Sequence, residues 1–259
     1  MEISGVELAA HGMSVRGPRG AVFENLDLRV GAGGLLVVHG PGGSGRTSLL
    51  LALAARMRLS GGTVRVGGHV LPRAARRVRD LVAVARAEPA VGLDGNLRVS
   101  ELVAERRWLD RRLTSRRVAE AFAVLGVRPR HSDLVRDLSR ADELLLATAL
   151  ALAGHPAAIV VDDVGLGCGA DDRAHLWQAL SRVCATGCTV LAAAADAPGA
   201  LDPEPVLVAL PRLSRDRLRP TPATHPATHP AAHPAQHGAS PEDSHPPQQQ
   251  AAPEHEESA

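Results

Sequence analysis

The chain of 259 residues contains no tyrosine, only two Trp and two Phe, and no lysine, so its 29 Lys+Arg positions are all arginine. So few aromatics argue against a surface that stacks nucleic-acid bases. The formal net charge of +1 is unevenly spread: Glu242, Asp243, Glu254, Glu256 and Glu257 lie in a C-terminal segment without arginine, so the remainder is mildly basic. The basic clusters Arg73, Arg76, Arg77 and Arg79, then Arg106, Arg107, Arg111, Arg112, Arg116 and Arg117, have only Trp108 among them and read as solvated helical faces. No nucleic-acid partner is expected. Cysteine is scarce too. Cys168, Cys184 and Cys188 show no Cys-x-x-Cys spacing, which speaks against a zinc ribbon or disulfide scaffold and fits a reducing compartment. The longest apolar run, Leu144 to Ala153, is too short to span a bilayer. No signal-peptide pattern opens the chain. The expected setting is the cytoplasm, with any membrane role exercised through a partner.

Glycine is abundant, and in one place it is organised. Gly40-Pro41-Gly42-Gly43-Ser44-Gly45-Arg46-Thr47 fits the phosphate-binding pattern G-x-x-x-x-G-K-[ST] at every position except the lysine, where Arg46 stands. The apolar run Gly34 to His39 before it has strand length. Thr47 to Met57 after it, rich in Leu and Ala, reads as a helix. In this setting the glycines let the backbone curl until several N–H groups face phosphate oxygens, with the positive end of the helix behind them. Gly40 to Thr47 and the following Ser48 are the candidate nucleotide-binding residues, and Thr47 would offer its hydroxyl to Mg²⁺. A chance glycine-rich turn is the competing reading, and the register of Gly40, Gly45 and Thr47 counts against it.

The rest of the chain alternates strand-like and helix-like stretches. Two strand runs between Val6 and Val30 flank the turn Gly17-Pro18-Arg19-Gly20, and Gly61 to Gly68 holds a short strand. Leu81 to Ala85, Ala157 to Asp162, Thr189 to Ala194 and Val206 to Leu210 read as strands. Val99 to Leu125 carries one continuous helical periodicity, and Ser139 to Ala153 and Asp171 to Ala185 read as further helices. This pattern predicts an α/β core on a mostly parallel sheet, with an antiparallel β subdomain and a helical insert over about residues 87–153. The expected ordered domain is 1–218. Residues 219–259 repeat His225, His229, His233 and His237 among Pro, Ala, Gln and acids. They are expected to be a disordered tail with polyproline II character. A weak metal site on those histidines competes with a solvated low-complexity tail, and the tail is the favoured reading.

The spacing of three landmarks resembles an ATP-binding cassette (ABC) ATPase domain, a P-loop NTPase, over roughly Val6 to Leu210. They are the phosphate loop, Leu138-Ser139 opening a helix, and a buried strand ending in Asp162-Asp163. Gly154-His155-Pro156 and Asn96 to Glu101 also sit where the family has related stretches. The resemblance implies ATP and Mg²⁺ as ligands, Asp162 and Thr47 at the metal, and Asp163 at the catalytic carboxylate position. It implies that Ser139 contributes to the site of a neighbouring cassette. It further implies a homodimer or heterodimer of such domains on the inner face of the cell membrane, beside a separately encoded integral membrane permease.

The chain also departs from the family pattern. Arg46 replaces the lysine. Arg86 (or Ala87, if the alignment slips by one) replaces the Q-loop glutamine. The signature reads Leu138-Ser139-Arg140-Ala141-Asp142, without its glycines, and Asp163 is one methylene shorter than the usual glutamate. Leu166-Gly167-Cys168-Gly169 has lost the D-loop acid, Ala195 replaces the switch histidine, and Phe23 near the adenine position is expected to pack in the core. The resulting expectation is an ATP-binding transport subunit with weak or absent hydrolysis. An active transport ATPase that tolerates the substitutions, and a scaffold or regulator on the same fold, are the alternatives.

Overall fold

The computed structural model describes residues 1–18 and 20–212. Arg19, at the first expected turn, and the histidine-repeat segment with the rest of 213–259 lie outside the described residues.

Among the described residues, nine strands form two sheets. β1 (Leu8–Gly17) and β2 (Gly20–Val30) are an antiparallel pair. β4 (Gly61–Val66) and β5 (His69–Leu71) extend it to the order β2-β1-β4-β5. The second sheet is fully parallel, with order β6-β7-β8-β3-β9. Its strands are β3 (Leu35–His39), β6 (Val82–Arg86), β7 (Ala158–Val161), β8 (Thr189–Ala194) and β9 (Val206–Ala209). Strands covered on both faces read as continuous apolar runs. β7 and β8 are buried at every residue.

Alternation along these strands divides the core in two. Leu36 and Val38 join Val160 and Leu191 against α1 (Arg46–Leu53), which lies between the two sheets and buries Leu49, Leu50, Ala52 and Leu53. Leu35 and Val37 join Ile159, Val161, Val190 and Ala192 on the opposite face. That face is covered by α4 (Ser115–Leu125), α5 (Arg140–Ala153) and α6 (Ala170–Ala185). Phe23 is buried at 4% exposure, in the first of these cores, as expected.

The structure corrects the sequence reading in three places. The continuous helix over Val99 to Leu125 is two helices, α3 (Val99–Leu109) and α4. The break comes where the Asp110 carboxylate accepts from the Arg112 backbone N–H at 2.9 Å and Thr114 caps α4 through the Arg117 N–H at 3.3 Å. Second, β5 and α2 (Ala75–Leu81) were not anticipated. Third, α1 stops at Leu53, with Ala55 in the left-handed region at φ 56°.

Candidate functional site

The site lies at the carboxyl ends of β3, β7 and β8, where open parallel sheets hold ligands. The loop from β3 into α1 is Gly40 to Gly45. Gly40, at φ 151°, packs so closely that an added Cβ would stand 2.2 Å from the Leu210 carbonyl oxygen. Its N–H donates to the Ala195 carbonyl at 3.1 Å, so the loop is fastened to the end of β8. Ser44 N–H closes a turn onto the Pro41 carbonyl at 3.1 Å. Gly45, at φ 98°, then turns the chain into α1. At Gly42 and Gly43 an added Cβ would meet nothing within 4 Å, so the crown of the loop faces open space.

Three features make this loop suited to a phosphate. No side chain caps the first turn of α1, and that turn holds no acid. Its free N–H groups and the helix dipole are therefore available to an anion. The Ser44 hydroxyl is buried without a hydrogen-bond partner, although buried polar atoms are normally satisfied. Finally, the Thr47 hydroxyl donates to the Asp162 carboxylate, which brings together the two residues expected at Mg²⁺. Asp162 is 2% exposed. Burial pushes its pKa above the usual carboxylate value, against the Thr47 hydrogen bond and with a further push from the Asp163 charge. A divalent cation would relieve that burden. The residues present thus fit a magnesium-bound nucleotide phosphate. Ser48 follows within the first turn of α1, half-buried.

The position of Arg46 is the main departure. Its guanidinium donates to the Gly40 carbonyl and, at 2.8 Å, to Oδ1 of Asp163. The pair is largely shielded, with side-chain exposures of 11% and 30%. The residue at the lysine position is therefore bonded to the residue at the catalytic carboxylate position, 117 positions away in the chain. Asp163 sits at φ 50°, and its N–H donates to Oδ1 of Asp162 at 2.9 Å.

The other expected positions are placed as follows. Ala195 is exposed at the end of β8 and presents only a methyl group. Arg86, 8% exposed, ends β6 and pairs with Glu88 at 2.9 Å, while Ala87 is buried. Ser139 is the N-cap of α5. Its hydroxyl accepts from the Asp142 N–H at 3.0 Å and donates to the Asp142 carboxylate at 2.7 Å, so both of its roles are taken within the helix it opens. Leu166 is 61% exposed. A cleft of about 410 Å³ runs between residues 163–168 and 194–199, lined at depth by Trp177. The sequence reading missed Arg212, whose guanidinium donates to the Gly42 carbonyl at 2.7 Å. In the sequence it is one of four arginines close together after β9, with Arg215, Arg217 and Arg219, and no motif singles it out.

The family model described as ABC transporter matches residues 23–164. The Nod factor export ATP-binding protein I of Cupriavidus pinatubonensis is 28% identical over 174 residues, 66% of this chain and 53% of its own length. The daunorubicin resistance ATP-binding protein DrrA3 of Streptomyces coeruleorubidus is 28% identical over 170 residues, 65% of this chain and 54% of its own. The sn-glycerol-3-phosphate import ATP-binding protein UgpC 3 of Rhizobium johnstonii is 31% identical over 143 residues, covering 54% and 40%. The chain spans about half the length of these curated relatives or less. Among solved structures, cbiO1 of Clostridium perfringens, part of the ABC transporter complex cbiONQ, superposes with a TM-score of 0.63 at 16% identity, over 73% of this chain and 78% of that one. With the model match extending over more than half of its residues, this chain belongs to the ABC transporter family.

Proposed function

We propose that the chain is an ATP-binding subunit of an ABC-type transport system that binds Mg-ATP and hydrolyses it very slowly or not at all. It would work on the inner face of a membrane beside a separately encoded permease, as a homodimer or heterodimer of cassettes. The relatives named as export and import ATP-binding proteins support the transport setting. No described helix is long and apolar enough to cross a membrane.

The observation that carries the slow-hydrolysis reading is the Arg46–Asp163 ion pair at 2.8 Å. The loop N–H groups would bind phosphate oxygens, and Thr47 with Asp162 would hold Mg²⁺, which would neutralise phosphate charge. Asp163 would be the remaining candidate to position a water or accept its proton. Its carboxylate is instead committed to a guanidinium, and proton transfer depends on an acceptor being free and within about 3 Å. Neither Ala195 nor Arg86 can accept a proton in its place.

The site lent to a neighbouring cassette would be impaired as well. Ser139 is bonded to Asp142, and the Asp142 carboxylate would stand close to a bound triphosphate. Impairment on both sides favours a subunit that regulates or scaffolds a transporter rather than one that powers it. The test is nucleotide binding and phosphate release measured on one purified sample with Mg-ATP in excess. Binding with negligible turnover is expected. Turnover of about 1 per second or more, within the ordinary enzyme range, would overturn the reading.

A further inference from the structure

We propose that Arg212 is a positioning residue of the phosphate loop: it clasps the Gly42 carbonyl from outside and so orients the next N–H toward a bound phosphate. The proposal rests on the nucleotide-binding reading above.

The crown of the loop lacks ordinary packing, since Cβ atoms added at Gly42 and Gly43 would meet nothing within 4 Å. Glycine backbone of this kind samples many conformations unless something holds it. From β9 onward the chain lies beside the loop. Ala209 is in parallel register with His39, the Leu210 N–H donates to the His39 carbonyl at 2.8 Å, and the Leu210 carbonyl abuts Gly40. Two residues later the guanidinium of Arg212 donates to the Gly42 carbonyl at 2.7 Å. In a trans peptide the C=O and the following N–H point in opposite directions. Holding the Gly42 carbonyl outward therefore turns the Gly43 N–H the other way, toward the interior of the loop. With Arg46 bonded to Asp163, phosphate binding depends more heavily on such backbone donors, and their pre-orientation removes an ordering cost from binding.

The experiment uses the full chain, with Arg212→Ala and Arg212→Lys beside the wild type. Mg-ATP and pyrophosphate are the calorimetric probes, and hydrogen exchange is followed over residues 40–47 without ligand. The clasp predicts that Arg212→Ala weakens both probes about fivefold, in keeping with one partly exposed charge-assisted hydrogen bond. Exchange of the loop amides should rise in this variant while the melting temperature of the free protein stays within about 1 °C. Arg212→Lys, which keeps a donor of similar reach, should recover affinity to within about twofold. If the wild type binds both probes and Arg212→Ala binds them equally well, the clasp is wrong and the nucleotide reading stands. Weaker binding with unchanged loop exchange would mean that Arg212 acts only as a distant charge, which also overturns the clasp. If the wild type binds neither probe, the nucleotide reading fails, and unchanged exchange in Arg212→Ala would then reject the clasp as well.

Discussion

Replacing Asp163 by asparagine should tighten nucleotide binding without creating an ATPase. Arg46 and Asp163 meet at 2.8 Å with only 11% and 30% of their side chains exposed. A charge-assisted hydrogen bond of this kind contributes about 1.5–3 kcal/mol, against about 0.5–1.5 kcal/mol for a neutral one. Asparagine retains a carbonyl acceptor for Arg46 but not the charge, so the cation is released by about 1 kcal/mol, a factor of about five in affinity. Removing a negative charge beside the phosphate loop acts in the same direction. The backbone should tolerate the change, because Asp163 sits at φ 50° and asparagine is among the few residues that accept the left-handed region. The assay is calorimetric titration with ADP and with a non-hydrolysable ATP analogue, so that blocked turnover cannot mimic tighter binding. A roughly fivefold gain for both ligands is expected, with no phosphate release from ATP. Unchanged or weaker binding in a correctly folded Asp163→Asn protein would show that the ion pair does not hold Arg46 away from the nucleotide, and the argument from Arg46 would fail.

Asp162→Asn should raise the melting temperature of the ligand-free protein at neutral pH, because burial raises the folded-state pKa of Asp162 above its ordinary value of 3.8. Below that value both folded and unfolded chains hold the proton and the wild type loses nothing. As pH rises through the ordinary value toward the raised one, the unfolded chain releases its proton first and the folded wild type loses stability. The advantage of Asp162→Asn in a melting series should therefore grow over that window and then stay constant, and an advantage that grows toward acid pH would contradict it. Thiol labelling of the native protein at pH 8 should modify one cysteine quickly, Cys168. Burial raises all three thiols, strongly for Cys188 and up to about 12 for Cys184, but Cys168 is only half-buried and so within reach of reagent. Rapid reaction at all three would show that the packing of α6 against β8 is looser than described. Gly40→Ala should lower stability by roughly 2 kcal/mol, since its Cβ would meet the Leu210 carbonyl oxygen at 2.2 Å and φ is 151°. Chemical denaturation would read this, and a neutral result would mean that β9 gives way easily.

The parallel core was legible because its burial leaves a mark. β3, β7 and β8 are covered on both faces and appear as unbroken apolar runs, and the glycines of the phosphate loop sit at fixed offsets after β3. What escaped was short or locally polar. β5 has three residues, and α2 carries Arg76, Arg77 and Arg79 around one buried residue, Val78, so neither offers enough apolar period to stand out. The break between α3 and α4 did have a signal: Thr114 is a good N-cap. The arginine-rich periodicity on either side of it masked the signal. The family resemblance offers candidate positions one at a time, yet the bond between Arg46 and Asp163 joins residues brought together only by the adjacency of β3, β8 and β7. No local pattern encodes that contact.

The two altered positions at the candidate phosphate site are best understood as a pair. Lysine is a compact point charge on a flexible stem, whereas arginine presents a planar fork that can satisfy two acceptors at once. Here the fork bridges a backbone carbonyl, that of Gly40, and a carboxylate, that of Asp163. A lysine would more readily leave either acceptor for a phosphate. A glutamate at position 163 would carry its carboxylate about one bond length further out and change where the fork could meet it. Arginine and aspartate together therefore make a closed, neutral arrangement in which either substitution alone would leave a different geometry. The same logic holds at the start of α5, where Asp142 engages Ser139 as both donor and acceptor. In both places a group that would face a nucleotide has a partner within the chain. This argues that the substitutions stabilise the ligand-free cassette rather than leaving scattered gaps in its chemistry.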